Sequence, residues 1–392
     1  MGQAYIVAAV RTAAGRKGGA LSGWHPADLG GKVLDALVDR TGADPASIDD
    51  VIMGCVIQIG QQAMNIGRNA VLASKLPESV PGTTIDRQCG SSQQALHFAA
   101  QAVMSGTQDI VIAGGIESMT RVPMGASVVL PQKNDMGVYM SPAMAERYPD
   151  IEFSQFTGAE MMAKKYKLDR DALDEYAFDS HQRAIAATEA GAFEAEILPL
   201  EVKLADGSGS GDMHRRDEGI RFDASLEGIK QVKLLHEKGC ITAASASQIA
   251  DGATAVMVVN DAGLKKLGVE PLARIHHLSL LGHDPVIMLE APIPATEVAL
   301  KKAGMSIDDI DLFEVNEAFA PVPLAWLQAT GADPKKLNVH GGAIALGHPL
   351  GASGTKLTTT LVHALHRHDK RYGLQTMCEG GGMANVTIFE KV

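Results

Sequence analysis

Short apolar runs alternate with longer stretches in which apolar residues recur at helical spacing, and this alternation continues along most of the chain. The opening run, residues 1–7, predicts a first strand, and the alternating run at 253–259 predicts a later one. Residues 83–85 have an extended pattern. Residues 93–104 predict a long helix that ends at Ser105-Gly106, since glycine commonly follows the last helical residue. With 41 glycines and an aromatic content of 4%, the chain is typical of the α/β class with many tight turns.

The pattern also contains an internal repeat. Residues 46–54 resemble residues 305–313, and each segment follows a helical stretch and opens into an apolar strand. Ile48 and Ile307 correspond at an offset of 259 residues, and the same offset carries Cys89 onto His348. The chain is therefore predicted to be a duplicated α/β domain whose halves meet around a pseudo-twofold axis, with Cys89 and His348 near one interface.

The middle of the chain differs from the two similar halves. From about residue 120 to residue 250 it is richer in methionine, charge and short helical patterns, with helices predicted near 158–166 and 169–190. We interpret it as an inserted loop domain, because long insertions on a rigid scaffold usually carry binding. The predicted organisation is an N-terminal half at 1–118, completed by about 251–271, a loop domain at 119–250 and a C-terminal half at 272–392.

Composition narrows the functional classes. A chain of 392 residues with 46% hydrophobic content can form two or three cores, and a net charge of −11 argues against a nucleic-acid binder. The four cysteines are widely spaced without a CxxC pair, so we expect no metal site and a reducing compartment. The start lacks the features of a signal peptide and no apolar run is long enough to span a bilayer. These features predict a cytoplasmic protein without membrane contact.

Cys89 is a candidate nucleophile because it lies at a predicted strand-to-helix turn. Gly90 permits a tight turn, and Ser91 or Ser92 is expected to cap the helix that follows. The positive end of that helix favours a thiolate over a thiol. The alternative is that Cys89 is a small buried hydrophobic residue, as most single cysteines are.

His348 lies in a glycine-rich stretch, residues 338–354, that predicts a fixed turn. Pro349 keeps His348 out of helical geometry, so its imidazole is suited to act as a base toward a thiol. The alternative, a phosphate-binding glycine loop, is weak because neither GxxxxGK[ST] nor GxGxxG fits the stretch.

Two further turns carry candidate chemistry. Cys378 precedes Gly380 and two more glycines, whose N–H groups could stabilise an oxyanion, although a cysteine ending a buried strand is also ordinary. Asn316 follows the repeated strand, where its amide could hold a water or an oxyanion or could cap the next helix. The small-residue run at 242–252 would let a slender ligand pass close to the backbone, or it is a plain loop.

Four motifs together resemble the thiolase family over essentially the whole chain. They are Cys-Gly-Ser-Ser at Cys89, Asn-Glu-Ala-Phe-Ala from Asn316, Gly-His-Pro-Leu-Gly-Ala-Ser-Gly around His348 and Cys-Glu-Gly-Gly-Gly-Met-Ala from Cys378. The resemblance implies a thiolase fold, with two βαβαβαββ halves in five layers and an inserted loop domain that binds CoA. It also implies a homo-oligomer, either a dimer or a homotetramer.

By this resemblance, Cys89 attacks the 3-keto carbon of a 3-ketoacyl-CoA, His348 supports its activation and Cys378 serves as acid and base. Asn316 (through water) and His348 would form one oxyanion hole, and the N–H groups of Cys89 and Gly380 the other. CoA is implied as co-substrate, with no tightly bound cofactor. The implied CoA or substrate contacts are Ser247, Arg221 within the basic set Arg215, Arg216 and Arg221, and the residues Ala243, Ala318 and Phe319.

Several residues depart from the short-chain members of that family. His340 replaces a usual Asn, Glu379 replaces an apolar residue, and residues 154–158 lack a His-Met-Gly segment. These departures argue against the alternative, a biosynthetic acetoacetyl-CoA thiolase. Residues 87–94 and 378–380 resemble more closely the degradative thiolases, including a bacterial subgroup that acts on steroid-derived acyl-CoAs. A condensing enzyme of the same fold is disfavoured by Cys378, and a non-catalytic acyl-CoA-binding protein would need neither cysteine.

Overall fold

The computed structural model describes residues 2–392, so Met1, which opens the first predicted strand, lies outside the described residues. Within that part of the chain the strands, numbered in chain order, are β1 (Tyr5–Thr12), β2 (Gly15–Arg16), β3 (Asp50–Gly54), β4 (Gly82–Ile85), β5 (Ile110–Ser118), β6 (Ile197–Leu198), β7 (Leu200–Lys203), β8 (Gly209–His214), β9 (Ala250–Val259), β10 (Ala273–Gly282), β11 (Leu312–Val315), β12 (Tyr372–Glu379) and β13 (Met383–Lys391).

The helices of the same residues are α1 (Pro26–Thr41), α2 (Ile66–Leu72), α3 (Ser91–Ser105), α4 (Ala126–Lys133), α5 (Pro142–Arg147), α6 (Gln155–Lys165), α7 (Arg170–Glu189), α8 (Leu226–Lys230), α9 (Asp261–Leu267), α10 (Pro292–Ala303), α11 (Pro321–Thr330), α12 (Ala343–Leu346) and α13 (Ser353–Arg367). The predicted end of α3 is confirmed, because Gly106 follows it in the left-handed region with a φ of 75°. Within residues 2–392, every helix lacks either the length or the apolar character needed to cross a bilayer.

The predicted duplication is confirmed by the sheet topology. From β1 outward, the N-terminal half runs β9, β5, β3 and β4, the first two contacts being antiparallel and the last two parallel. From β10 outward, the C-terminal half runs β13, β12 and β11 with the same sequence of directions, and a parallel bridge from Phe313 to Leu337 stands where the fifth strand would be. β1 and β10 pair antiparallel at the centre, Tyr5 with Arg274.

Helices cover both faces of each half. Leu34 of α1 belongs to a core with α2 and the outer face of the N-terminal strands, and Trp326 of α11 belongs to the corresponding core of the C-terminal half. Leu96 of α3 and Leu361 of α13 share a third core that includes residues of both halves. The two central helices therefore lie between the two sheet halves, which gives the expected five layers.

The inserted segment lies between Ser118, the end of β5, and Ala250, the start of β9. It contains helices α4 to α8 and the β7–β8 hairpin, and α6 and α7 occupy the two predicted helical stretches. Arg11 of β1 is fully buried and donates to Asp217 at 2.8 and 3.0 Å, so the insertion is held against the N-terminal half by a buried ion pair.

Candidate active site

Two glycine-containing turns from opposite halves of the chain meet next to Cys89. A Cβ placed on Gly90 would lie 2.0 Å from Glu379 Oε1, and one placed on Gly380 would lie 2.9 Å from Gln88 Oε1. Neither position therefore has room for a larger residue unless its neighbour moves. This close approach brings the turn that carries Cys89 against the turn that follows Cys378.

The expectation that the helix end makes Cys89 a ready thiolate is wrong for the free site. Burial and the nearby Glu379 carboxyl raise the pKa of the Cys89 thiol to about 12. The predicted serine cap is also wrong: Gly90 is the N-cap of α3 and makes no side-chain bond, whereas Ser91 Oγ donates to Gln88 O at 2.6 Å. Cys89 is thus a neutral, partly exposed thiol at an uncapped helix end.

His348 is held in one orientation and left with a free nitrogen. Its side chain is buried, and Nδ1 lies 2.5 Å from Ser353 Oγ, which itself donates to Pro349 O at 2.9 Å. Because the serine proton is used in that bond, Nδ1 carries the imidazole proton and Nε2 presents its lone pair. Nε2 has no hydrogen-bond partner among the described residues. Burial and the charge of Lys356 lower the pKa of His348 to about 3, so the ring is a neutral base.

Asn316 lies just beyond β11 and is the second side chain with unused hydrogen-bonding groups. It is buried, and neither Oδ1 nor Nδ2 has a partner among residues 2–392. The alternative role as a helix cap is excluded, because α11 begins at Pro321 and its N-cap is Ala320, without a side-chain bond. A buried amide without partners is costly unless a ligand or water satisfies it.

Cys378 is the penultimate residue of β12 and lies opposite Ala384 of β13. Its side chain is buried, and the pKa of its thiol is raised by burial and by the neighbouring Cys89 and Glu379. The hairpin that follows turns through Gly381 and Gly382, with φ values of 85° and 74°, which other residues rarely adopt. Cys378 therefore holds its proton firmly at rest, as a general acid must.

The small-residue run connects the remaining predicted positions. Ser247 N donates to Ala318 O at 2.9 Å, and isolated bridges pair Ala246 with Phe319 and Ile249 with His348. Ser247, Ala318, Phe319 and His348 are therefore brought together along one wall.

The other two predicted CoA contacts lie at the edge of this wall. Ala243 and Arg221 are both exposed. Gln248 Nε2 donates to Gly219 O at 2.8 Å and to Ile344 O at 2.7 Å. The segment just before Arg221 is therefore hydrogen-bonded to the wall formed by Ser247, Ala318, Phe319 and His348.

Sequence reasoning missed two buried carboxylates that hold the site in place. Glu317 accepts from Tyr176 OH at 2.9 Å, Ser180 Oγ at 2.7 Å and Ile344 N at 3.0 Å, and so fixes the chain beside Asn316.

Glu117 on β5 accepts from Val56 N, Ile57 N, Gln62 Nε2 and Gly351 N at 2.7 to 3.2 Å. It thereby ties the loop after β3 to the loop that carries His348. A glutamate directly after the apolar run 110–116 of a fully buried strand was the available sequence signal.

Comparison with known proteins agrees with this geometry. The sequence model of the thiolase N-terminal domain matches residues 4–262, and that of the thiolase C-terminal domain matches residues 269–391. The chain is 52% identical over 397 residues to a steroid 3-ketoacyl-CoA thiolase of Mycobacterium tuberculosis, covering 100% of this chain and 95% of that protein. It is 42% identical over 397 residues to a 3-ketoacyl-CoA thiolase of Yersinia pestis, covering 99% of each chain. A 3-ketoacyl-CoA thiolase of Cronobacter sakazakii is 41% identical over 399 residues, covering 100% of each. The chain belongs to the thiolase family.

Proposed function

We propose that the protein is an acyltransferase that cleaves a 3-ketoacyl-CoA with CoA, giving acetyl-CoA and a shortened acyl-CoA. The observation that carries the proposal is a pair of neighbouring protonated thiols, on Cys89 and Cys378, together with a neutral imidazole whose Nε2 is free. The loop that carries this imidazole, on His348, also carries Leu350, which belongs to the apolar cluster against which Cys89 packs. A carbon–carbon cleavage through an acyl-enzyme requires a nucleophile, a base to deprotonate it and a separate acid for the carbanion that leaves.

In the first half-reaction, the Cys89 proton passes to His348 Nε2 while Sγ attacks the C3 carbonyl of the substrate. The C2–C3 bond then breaks, and its electron pair forms the enolate of acetyl-CoA. Cys378 protonates C2 of that enolate and is left as a thiolate. Two oxyanions develop in this reaction. Asn316, whose amide has no hydrogen-bond partner, would hold a water against one of them, and the N–H groups of Cys89 and Gly380 would stabilise the other.

In the second half-reaction, the Cys378 thiolate removes the proton of the incoming CoA thiol. The CoA thiolate attacks the carbonyl of the acyl-Cys89 thioester, and Cys89 leaves and recovers its proton from His348. Both thiols and the imidazole therefore end in the state in which they began. Run in reverse, the same proton transfers support Claisen condensation of acetyl-CoA.

A degradative role is favoured over acetoacetyl-CoA synthesis. The relatives compared above carry the names 3-ketoacyl-CoA thiolase and steroid 3-ketoacyl-CoA thiolase. We therefore propose a substrate longer or bulkier than acetoacetyl-CoA, and a steroid-derived acyl-CoA is the first candidate. CoA would lie along the Ser247–Phe319 wall with its phosphate end toward Arg221, as a co-substrate and without a tightly bound cofactor.

Exposed apolar side chains and free thiols support a proposal for the assembly and location of the protein. We propose a homo-oligomer, a dimer or a homotetramer, because Met124, Val129, Leu130 and Met136 expose between 42% and 77% of their surface around α4. We also propose a reducing, cytoplasmic setting. All four cysteines lie within residues 2–392, and each is a free thiol. Light scattering on the purified protein measures the oligomeric state. A fluorescent fusion imaged in the source cells shows the location.

The function is tested by thiolysis of a panel of 3-ketoacyl-CoAs, from acetoacetyl-CoA through long straight chains to bulky cyclic acids, at saturating CoA. We expect faster cleavage of long or cyclic substrates than of acetoacetyl-CoA, and an acyl adduct on Cys89 by mass spectrometry when CoA is withheld. Cys89→Ala should lose both, whereas Cys240→Ala, which removes a thiol bound to Glu160 in the insertion, should keep them. CoA-dependent cleavage by Cys89→Ala would refute the acyl-enzyme mechanism, and a strong preference for acetoacetyl-CoA would refute the degradative role.

A further inference from the structure

Glu379 is a buried carboxyl group at the reaction centre to which the mechanism above assigns no part. Only 1% of its surface is exposed. Oε1 accepts from Asn385 N at 3.1 Å, while Oε2 has no hydrogen-bond partner among residues 2–392. The carboxyl packs directly against Gly90, the N-cap of α3, so it lies at the same uncapped helix end as the Cys89 thiol.

The groups around Glu379 favour at most one negative charge there. The turn before α3 contributes the Arg87 cation, whose guanidinium reaches Met383 Sδ at 3.8 Å in the hairpin opposite, together with Cys89 and the exposed Asp86. β12 contributes Cys378, and β13 contributes the neutral Asn385. On α3, His97 lies behind Asn385 and its ring is uncharged, because burial lowers its pKa to about 3.

One cation and one helix end thus face Glu379, Cys89 and Cys378. The carboxyl groups of Asp86 and Glu117 also oppose a negative charge on Cys89. Burial raises the pKa of Glu379 to about 8, and the Arg87 charge only partly opposes that rise. A charged Glu379 in turn raises the pKa of Cys89. By reciprocity, a thiolate at Cys89 disfavours a carboxylate at Glu379 to the same extent.

We propose that Glu379 is a positioning residue that acts through Cys89: its carboxyl must keep its proton for Cys89 to ionise, because the two acids share the N-terminal end of α3. The inference rests on the proposed role of Cys89 as nucleophile. The inference adds a second group to the nucleophile, because the protonation state of Glu379 controls whether the Cys89 thiol can ionise. When Cys89 is acylated its charge is no longer possible, and Glu379 can then release its proton.

The proposal predicts a specific dependence on pH. Below pH 8 Glu379 is neutral, so Glu379→Gln, which is neutral at every pH, should match the wild type. Above pH 8 the wild-type carboxylate suppresses the Cys89 thiolate and the glutamine does not. The rate advantage of the variant should therefore grow from about one at pH 7 to about fivefold at pH 9, and approach about tenfold at higher pH, the limit set by a one-unit shift in the pKa of Cys89.

The test is alkylation of Cys89 by iodoacetamide between pH 6.5 and 9.5, followed by peptide mass spectrometry that separates Cys89 from the other three thiols. Because the readout needs no acyl-CoA, it is independent of whether the proposed thiolysis is correct. Glu379→Asp, which keeps an acid at this position, should retain the wild-type dependence on pH. Glu297→Gln, at an exposed position of α10, serves as the control for an uninvolved carboxylate.

A ratio of rates that is constant over this pH range would overturn the proposal, since a fixed factor reports altered packing. If Glu379→Gln does not fold, the wild type alone decides. Its alkylation rate should rise tenfold per pH unit below pH 8 and clearly less steeply above it. An unbroken tenfold rise per unit to pH 9.5 would overturn the proposal.

Discussion

Replacing Glu117 by Gln should disable the active site without touching a reacting group. Val56 N and Gly351 N donate to Oε2, and Ile57 N and Gln62 Nε2 donate to Oε1, which the weaker Cys55 thiol donor also faces at 3.7 Å. The glutamine amide presents one oxygen and one NH₂ group. In either orientation its NH₂ group meets two donors, at least one of which is a backbone N–H that cannot turn away.

The loss can be estimated from these four bonds. Two of them are lost in each orientation, and a hydrogen bond to a charged acceptor contributes about 1.5–3 kcal/mol. Removing a buried charge offsets part of the gross loss of about 3–6 kcal/mol. We expect a decrease of about 3 kcal/mol in the free energy of unfolding. Because Gly351 lies two residues before Ser353, the partner of His348, kcat should fall on the order of a hundredfold.

The assay is urea unfolding at pH 7 together with thiolysis kinetics, with Glu297→Gln as the exposed control. A smaller decrease in stability with unchanged kcat would mean that the loop after β3 does not position His348. Wild-type stability and activity together would refute the reading of Glu117 as a carboxylate held by four donors. Loss of activity in the control would show that the assay reports general damage.

Three further predictions concern the site and its charge. Ser353→Ala removes the bond that orients His348 Nδ1, so kcat should fall on the order of a hundredfold while KM changes little; an unchanged kcat would show that the tautomer is set elsewhere. Cys378→Ala should still form an acetyl adduct on Cys89 from acetyl-CoA but lose thiolysis and condensation, and normal turnover would remove its acid and base role. His340 is buried with its pKa lowered to about 4, so the unfolded chain gains a proton there as pH falls below 6.5 and stability is lost toward pH 4. Unfolding of His340→Asn at pH 7 and pH 5 should therefore show a loss about 2 kcal/mol smaller than in the wild type; an equal loss would place the acid sensitivity at other groups.

Much of the fold could be predicted because the two halves repeat a local pattern. The similarity of 46–54 to 305–313 maps onto β3 and β11, which occupy equivalent places in the two halves. The pairing of β1 with β10 could not be predicted, since it joins residues far apart in sequence, Tyr5 and Arg274, and no local pattern records that contact. The partners of a strand depend on tertiary packing, whereas its existence follows from its own residues.

The same distinction separates the predicted and the missed parts of the site. Cys89, His348 and Cys378 lie at or next to turns that contain glycine or proline, and Asn316 directly follows an apolar strand of the internal repeat. Both are local signals that the sequence carries. The carboxyl groups that orient them have partners remote in sequence, as when Glu117 accepts from Gly351. The thiolate expectation failed for this reason. A helix end is a local feature, whereas the burial of Cys89 and the opposing carboxyl of Glu379, from the other half of the chain, both depend on tertiary packing.

The resting charges of the two central groups restrict how the reaction begins. With the pKa of Cys89 raised to about 12 and that of His348 lowered to about 3, a thiolate–imidazolium pair is strongly disfavoured at rest. Transfer of the proton across that difference would cost on the order of 10 kcal/mol before the attraction between the two new charges is counted. In the proposed mechanism, therefore, the attacking species is not a freely formed ion pair. Proton transfer accompanies attack on the carbonyl there, so that the negative charge moves from sulfur to an oxygen that Asn316 and the backbone N–H groups would stabilise.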